Sequence, residues 1–177
     1  MTNYVYVATS LDGYIATPEG GLDWLYAIPN PDNDDYGYAQ FMEGVDAIVM
    51  GRKTFEKVVT FEPWPYDKPV FILSNTLKKL PEAVEDKAKQ VSGDLKALIQ
   101  QLSDKGYSNL YIDGGSVIRS FLLEDLIDEM TITTVPVLLG SGIPLFMQLS
   151  DTLMFEHQTT EVLSSALVKT RYIRSRE

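Results

Sequence analysis

The chain has no cysteine and one histidine among its 177 residues. Without cysteine there is no disulfide framework, no thiolate metal site and no thiol nucleophile, and a reducing cytoplasm is the expected compartment. His157 falls in a stretch expected to form a hairpin edge, and no grouping of His, Asp and Glu has metal-ligand spacing, so no metal is expected. No apolar run approaches the length of a membrane span, and residues 1–8 have the make-up of a strand rather than a signal peptide. Cations are also scarce, with 15 Lys and Arg against 25 Asp and Glu and a net charge of −10. That balance argues against a nucleic-acid partner, which needs a basic face. An anionic ligand would have to be gripped by a local cluster of cations and backbone N–H groups working against the overall field.

What is present reads as alternating strands and helices in one domain spanning residues 1–177. Residues 4–8 are a β-rich run closed by the turn sequence Ser10-Leu11-Asp12-Gly13. Residues 18–31 carry three prolines and two glycines and predict a long loop. A helix is expected from Asp34 or Asp35 to about Glu43, acidic residues suiting its positive end. Residues 46–50 predict a buried strand, 53–58 a helix and 69–73 a further strand. After Ser92-Gly93-Asp94, Leu95, Leu98, Ile99 and Leu102 recur at helical spacing up to about Lys105. A strand over 109–112 runs into Asp113-Gly114-Gly115, with a helix over 116–123. Residues 128–139 form a long β-rich stretch, and 154–163 with 166–174 predict a hairpin joined at Ser164-Ser165. Strands followed by helices imply a largely parallel sheet, and the strand-only tail implies an antiparallel edge.

Two strand-to-helix turns carry chemistry. In Gly51-Arg52-Lys53-Thr54, glycine lets backbone approach a phosphate, Arg52 and Lys53 bring positive charge, and Thr54 with the first-turn amides supplies donors. In Gly114-Gly115-Ser116-Val117, two residues without Cβ let a flat ligand or a diphosphate pass close to the main chain. Ligands in open α/β sheets bind beyond the carboxyl ends of the strands, where both turns lie. The first is no P-loop, since Arg52 intervenes and the earlier glycine is missing. Each turn is also compatible with a simple chain reversal.

Four segments, taken together, resemble the dihydrofolate reductase superfamily, most closely the reductase domain of riboflavin biosynthesis. They are residues 8–16 (ATSLDGYIA), 46–54 (DAIVMGRKT), 113–116 (DGGS) and 136–146 (PVLLGSGIPLF). The resemblance implies a three-layer α/β/α fold with a mixed, mostly parallel sheet and a C-terminal antiparallel hairpin. It also implies NADPH-dependent hydride transfer to a small heterocycle, and a homodimer. By motif position, Gly51, Arg52, Lys53 and Thr54 would contact the phosphates, and Ser74 and Asn75 would flank the adenosine 2′-phosphate. Arg52, with Lys78, would supply the cations that prefer NADPH to NADH. Gly114, Gly115, Ser116 and Val117 would lie under the diphosphate and nicotinamide, with Ala8, Ile15 and Ala16 lining the nicotinamide pocket. Ser10, Asp12 and Trp24 are the candidate substrate contacts. Asp35 is the candidate proton donor, although Asp32-Asn33-Asp34-Asp35 reads equally as a helix cap. The riboflavin branch has a lysine two residues before the alanine matched by Ala8, and here that place is Tyr6. The implied substrate is 5-amino-6-(5-phosphoribosylamino)uracil. Reduction of dihydrofolate or another pterin, and a non-catalytic nucleotide-binding sensor, are the alternatives.

Overall fold

The computed structural model describes residues 1–77 and 79–176. Its eight-stranded sheet has the order β5-β4-β3-β6-β1-β7-β10-β9. The strands are β1 (Thr2–Ser10), β3 (Ala47–Gly51), β4 (Val70–Leu73), β5 (Ala88–Val91), β6 (Asn109–Asp113), β7 (Glu129–Val135), β9 (Phe155–Leu163) and β10 (Leu167–Arg174). All pairings from β5 across to β7 are parallel, while β10 runs antiparallel to both β7 and β9. A separate pair, β2 (Tyr14–Ala16) with β8 (Ile143–Pro144), lies outside this sheet.

Both faces are covered. Val5, Val49 and Ile112 pack with Leu98 and Leu102 of α3 (Leu95–Asp104) and with Ile118 and Phe121 of α4 (Gly115–Leu123). Their neighbours Ile48, Met50 and Ile72 face Phe55 of α2 (Arg52–Val58) and Phe41 of α1 (Tyr38–Glu43). Burial on two faces explains why β3, whose five residues are all buried, reads as an unbroken apolar run. The fold is dihydrofolate-reductase-like, as the sequence led one to expect.

The differences from the expected elements have local causes. α1 starts at Tyr38 rather than near Asp34, because Asp34 accepts from Tyr36 N–H (2.7 Å) and Asp35 from Gly37 N–H (2.8 Å). Those side-chain bonds accompany left-handed backbone at Tyr36 (φ 55°) and Gly37 (φ 88°), which cannot be helical. β7 stops at Val135 because Pro136 has no N–H for the ladder. Within the expected loop, Asp23–Ala27 forms a short 3₁₀ turn that buries Trp24. The edge strand β5 escapes sequence reading because its central Lys89 and Gln90 are exposed and polar. The C-terminal hairpin matches expectation: Leu163 pairs with Leu167 across residues 164–166, and Ser164 (φ 48°) and Ser165 (φ 55°) turn the chain with left-handed backbone.

Candidate active site

The two glycine-bearing turns meet. Met50 of β3 is in register with Asp113 of β6, so the chain leaves both strands at the same level. A Cβ on Gly51 would stand 3.1 Å from Val117 Cγ2, and one on Gly114 would collide with the Thr54 hydroxyl and lie 3.2 Å from Thr54 Cβ. Gly114 has φ 91° and ψ 131°, a conformation open almost only to glycine. A Cβ on Gly115 would overlap Ile15 Cδ1 and come 3.0 Å from an Arg119 guanidinium nitrogen. The missing side chains therefore bring residues 51–54, 114–117 and Ile15 together around one crevice.

The donors around this crevice are cationic, hydroxylic and amide. Lys53 and Ser116 are exposed, and Arg52 is partly exposed with an ion pair to Glu56 at 2.9 Å. Ser74 follows β4 beside the Gly51 turn, its hydroxyl accepting from the Thr76 and Leu77 amides (3.1 Å each), and Asn75 is exposed next to it. Lys78 lies outside the described residues. Lys57, one turn along α2, donates to Gly20 O at 2.8 Å and ties the loop after β2 to the helix.

Between the turns stands a carboxylate that the sequence pattern does not single out. Asp113 ends β6 on the face of Tyr111, with Tyr66 Oη donating to it at 3.3 Å. Burial pushes its carboxyl above the usual range, against the opposing pull of the Tyr66 hydroxyl, the neighbouring Tyr111 and the Gly114 amide. Burial and the Asp113 charge likewise push the Tyr66 and Tyr38 hydroxyls up, so they are donors throughout the ordinary pH range. The sequence signal was a lone carboxylate closing an apolar strand directly before paired glycines.

The candidate substrate residues have clear partners. The Ser10 hydroxyl donates to Asp12 (2.6 Å), and Asp12 also accepts from the amides of Leu139 (3.1 Å) and Gly140 (2.7 Å). The Ser10 hydroxyl, followed by those two amides, holds the Asp12 carboxyl below its usual range. This pair thus fastens the 137–145 segment over the end of β1, where Gly142 packs on β2. Asp35 is exposed and accepts from Ala39 and Gly37 amides (2.8 Å each), which hold its carboxyl low. The structure thus gives Asp35 the helix-entry role. Asp35→Asn is expected to lower the unfolding temperature while leaving catalytic turnover essentially unchanged. A loss of about 100-fold, the scale of a missing proton donor, would support the catalytic role instead.

Trp24 is 9% exposed, packed with Val135, Leu167 and the partly buried Ala8 and Tyr36, and its indole N–H has no hydrogen-bond partner among the described residues. On the same face, Tyr6 donates to Tyr36 O at 2.9 Å, and Lys169 of β10 donates to that same oxygen at 3.0 Å. Thr131 and Thr133 are buried beside them. Ala16 is buried, and Ala8 and Ile15 are partly so, at the floor and rim. A cavity of about 390 Å³ lined by Phe155, Glu156 and Arg174 lies at the other end of the sheet and shares no residue with the crevice. His157 is exposed on β9 and bonded to Thr160 at 2.8 Å. Among the described residues no group of His, Asp and Glu could hold a metal ion, and no helix is long and apolar enough to cross a membrane.

This fold with a strand-end crevice is the dihydrofolate-reductase-like one. Enterococcus faecalis dihydrofolate reductase, complexed with NADP(H) and RAB-propyl, superposes with a TM-score of 0.68 at 19% identity, over 99% of this chain and 97% of that one. A Thermotoga maritima diaminohydroxyphosphoribosylaminopyrimidine deaminase/5-amino-6-(5-phosphoribosylamino)uracil reductase gives 0.75 at 16% identity, over 98% of this chain and 56% of that one.

The chain belongs to the RibD C-terminal domain family, whose model matches residues 4–169. A candidate riboflavin biosynthesis protein from Shewanella sp. PV-4 is 52% identical with a TM-score of 0.96, covering 99% of this chain and all of that one. Uncharacterized YwjB of Bacillus subtilis (strain 168) is 35% identical, over 97% of each chain.

Proposed function

We propose that this protein is an NADPH-dependent reductase of a small nitrogen heterocycle, with 5-amino-6-(5-phosphoribosylamino)uracil as the substrate that best fits the family. One observation carries the reading: residues 51–54 and 114–117, from adjoining strands, close on one crevice roofed by Ile15. The donor set fits a dinucleotide, with Arg52, Lys53 and Thr54 at phosphate, Ser74 and Asn75 at the 2′-phosphate, and Gly114, Gly115, Ser116 and Val117 along the diphosphate. Ala8, Ile15 and Ala16 flank the nicotinamide position. When bound, NADPH supplies a hydride. Asp113 holds the proton that balances it at the heteroatom beside the reduced carbon, Tyr66 orients the carboxyl by its hydrogen bond, and water restores the proton to Asp113 after product leaves. The Thermotoga enzyme's reductase activity supports the substrate. A homodimer belongs to the same reading, and the exposure of nearly all of β9 supports a covered outer edge.

The test is NADPH oxidation, followed at its near-UV absorbance, with the phosphoribosylamino-pyrimidine and with 7,8-dihydrofolate. Turnover of the first is expected. Binding without turnover of either would favour a sensor. A charge-assisted bond to the 2′-phosphate contributes roughly 1.5–3 kcal/mol, so Arg52→Ala should narrow the preference for NADPH over NADH by about 10-fold. Equal affinities for the two cofactors in the unaltered protein, by fluorescence titration, would refute the preference.

A further inference from the structure

Lys169 and Trp24 form a pair of hydrogen-bond donors beside Ala8, on the side of the crevice away from the phosphate-binding turns. Lys169 is level with Thr133 of β7, and Thr133 with Ala8 of β1, so one row crosses the sheet from floor to wall. Residues two apart share a face. The next row, Ser10–Val135, leads to Leu167, and Val135 and Leu167 carry Trp24. The preceding row is Tyr6, Thr131 and Arg171.

The Lys169 side chain is 16% exposed, and its ammonium meets Tyr36 O at 3.0 Å and Glu161 Oε2 at 3.1 Å. An ammonium has three donors, so one remains. It lies 3.3 Å from where a Cβ on Gly37 would be, and Tyr6 Oη lies 3.8 Å from the same point. Trp24 adds a nine-tenths-buried N–H with no acceptor among the described residues, a costly state that a ligand oxygen would relieve. The carboxylates nearby are committed, Asp35 to the Gly37 and Ala39 amides and Glu161 to Lys169.

From this juxtaposition we infer that Lys169 and Trp24 are specificity residues that donate to the ring oxygens of a pyrimidine-2,4-dione. The inference rests on the reductase reading and narrows its substrate. A donor wall matches a ring edge presenting two carbonyl oxygens. It mismatches the 2-amino edge of a pterin, which itself donates and calls for a free carboxylate.

The experiment is calorimetric titration of 5-amino-6-(5-phosphoribosylamino)uracil, and separately of 7,8-dihydropterin, into the NADP⁺-saturated protein. The unaltered protein is expected to bind the dione more tightly than the pterin. Lys169→Met and Trp24→Phe should each weaken the dione by about 10-fold or more, the scale of a lost charged or buried bond. The Kd for NADP⁺ should stay unchanged, and Lys169→Arg should recover most of the loss. Dione affinity indifferent to Lys169→Met overturns the inference, as does a parallel loss of NADP⁺ affinity, which would make Lys169 a prop for the 36–37 turn. Tighter pterin binding overturns it too. Failure of NADP⁺ and NADPH to bind the unaltered protein would instead sink the reductase reading itself.

Discussion

Asp113→Asn is expected to raise the unfolding temperature and to cut NADPH-dependent turnover by about 10²–10⁴-fold, the range for a lost general acid. The two effects share one cause. Burial disfavours the ionised carboxyl, so its folded-state pKa lies above that of the unfolded chain. The native state therefore holds this proton to higher pH than the unfolded state does, and stability falls as pH rises through the elevated pKa. Below the ordinary carboxylate range both states are protonated and the contribution is flat. Asparagine keeps an acceptor for Tyr66 and never ionises, so the gain in unfolding temperature should be larger at pH 8 than at pH 5. A gain equal at the two pH values would mean that another group titrates. The same variant should lose the fall in turnover with rising pH that the unaltered enzyme shows as Asp113 gives up its proton. Tyr66→Phe should keep part of the activity, because the carboxyl remains while its hydroxyl partner is gone.

Gly114→Ala should produce the largest loss of cofactor affinity, about 100-fold, with a marked drop in unfolding temperature. At φ 91° and ψ 131° an alanine carries strain on the order of 1–3 kcal/mol, and its Cβ has no room against Thr54. Either the Gly114 turn or the start of α2 must retreat, and both border the same crevice. Thr54→Ala in the same chain should recover stability, because it removes the obstructing hydroxyl, but should recover affinity incompletely, because the role proposed for that hydroxyl is to donate to a cofactor phosphate. Gly44→Ala is the control. Gly44 has φ −82°, and an added Cβ would meet Phe41 O at an ordinary 3.6 Å, so stability should hold or rise slightly. NADPH titration and thermal unfolding of the four proteins check these outcomes. Retention of cofactor affinity by Gly114→Ala would show that the glycine turn does not face the dinucleotide.

Much of this architecture was legible because local and tertiary signals agree. The Asp94 cap with its leucine spacing announced α3, and Asp94 does accept from Ala97 N–H at 2.9 Å. The apolar runs at residues 46–50 and 109–112 announced central strands, and the glycines announced the turns at their ends. Less legible was anything that depends on what comes across the sheet. Lys169 is an ordinary lysine in an alternating strand, and only the β1–β7–β10 register sets it level with Ala8. Asp113 looks like a turn residue until Tyr66 and Tyr111 are seen around it. Asp35 was ambiguous in sequence because a carboxylate before a helix can cap or catalyse, and the Gly37 and Ala39 amides decide where its oxygens go.

The position of β1 has a consequence for how the molecule is made. The strand of this sheet that comes first in chain order lies near its middle, between β6 and β7, and its partners begin at Asn109 and Glu129. Its backbone donors and acceptors must wait for more than a hundred further residues, so folding is governed by distant pairings and is expected to be slow. Ala8 cannot acquire its neighbours until β7 has left the ribosome, and the crevice is therefore among the last features to form. A ligand that recognises the finished crevice can engage only the completed fold, so it should protect β1 amides from hydrogen exchange as strongly as those of the turns it touches.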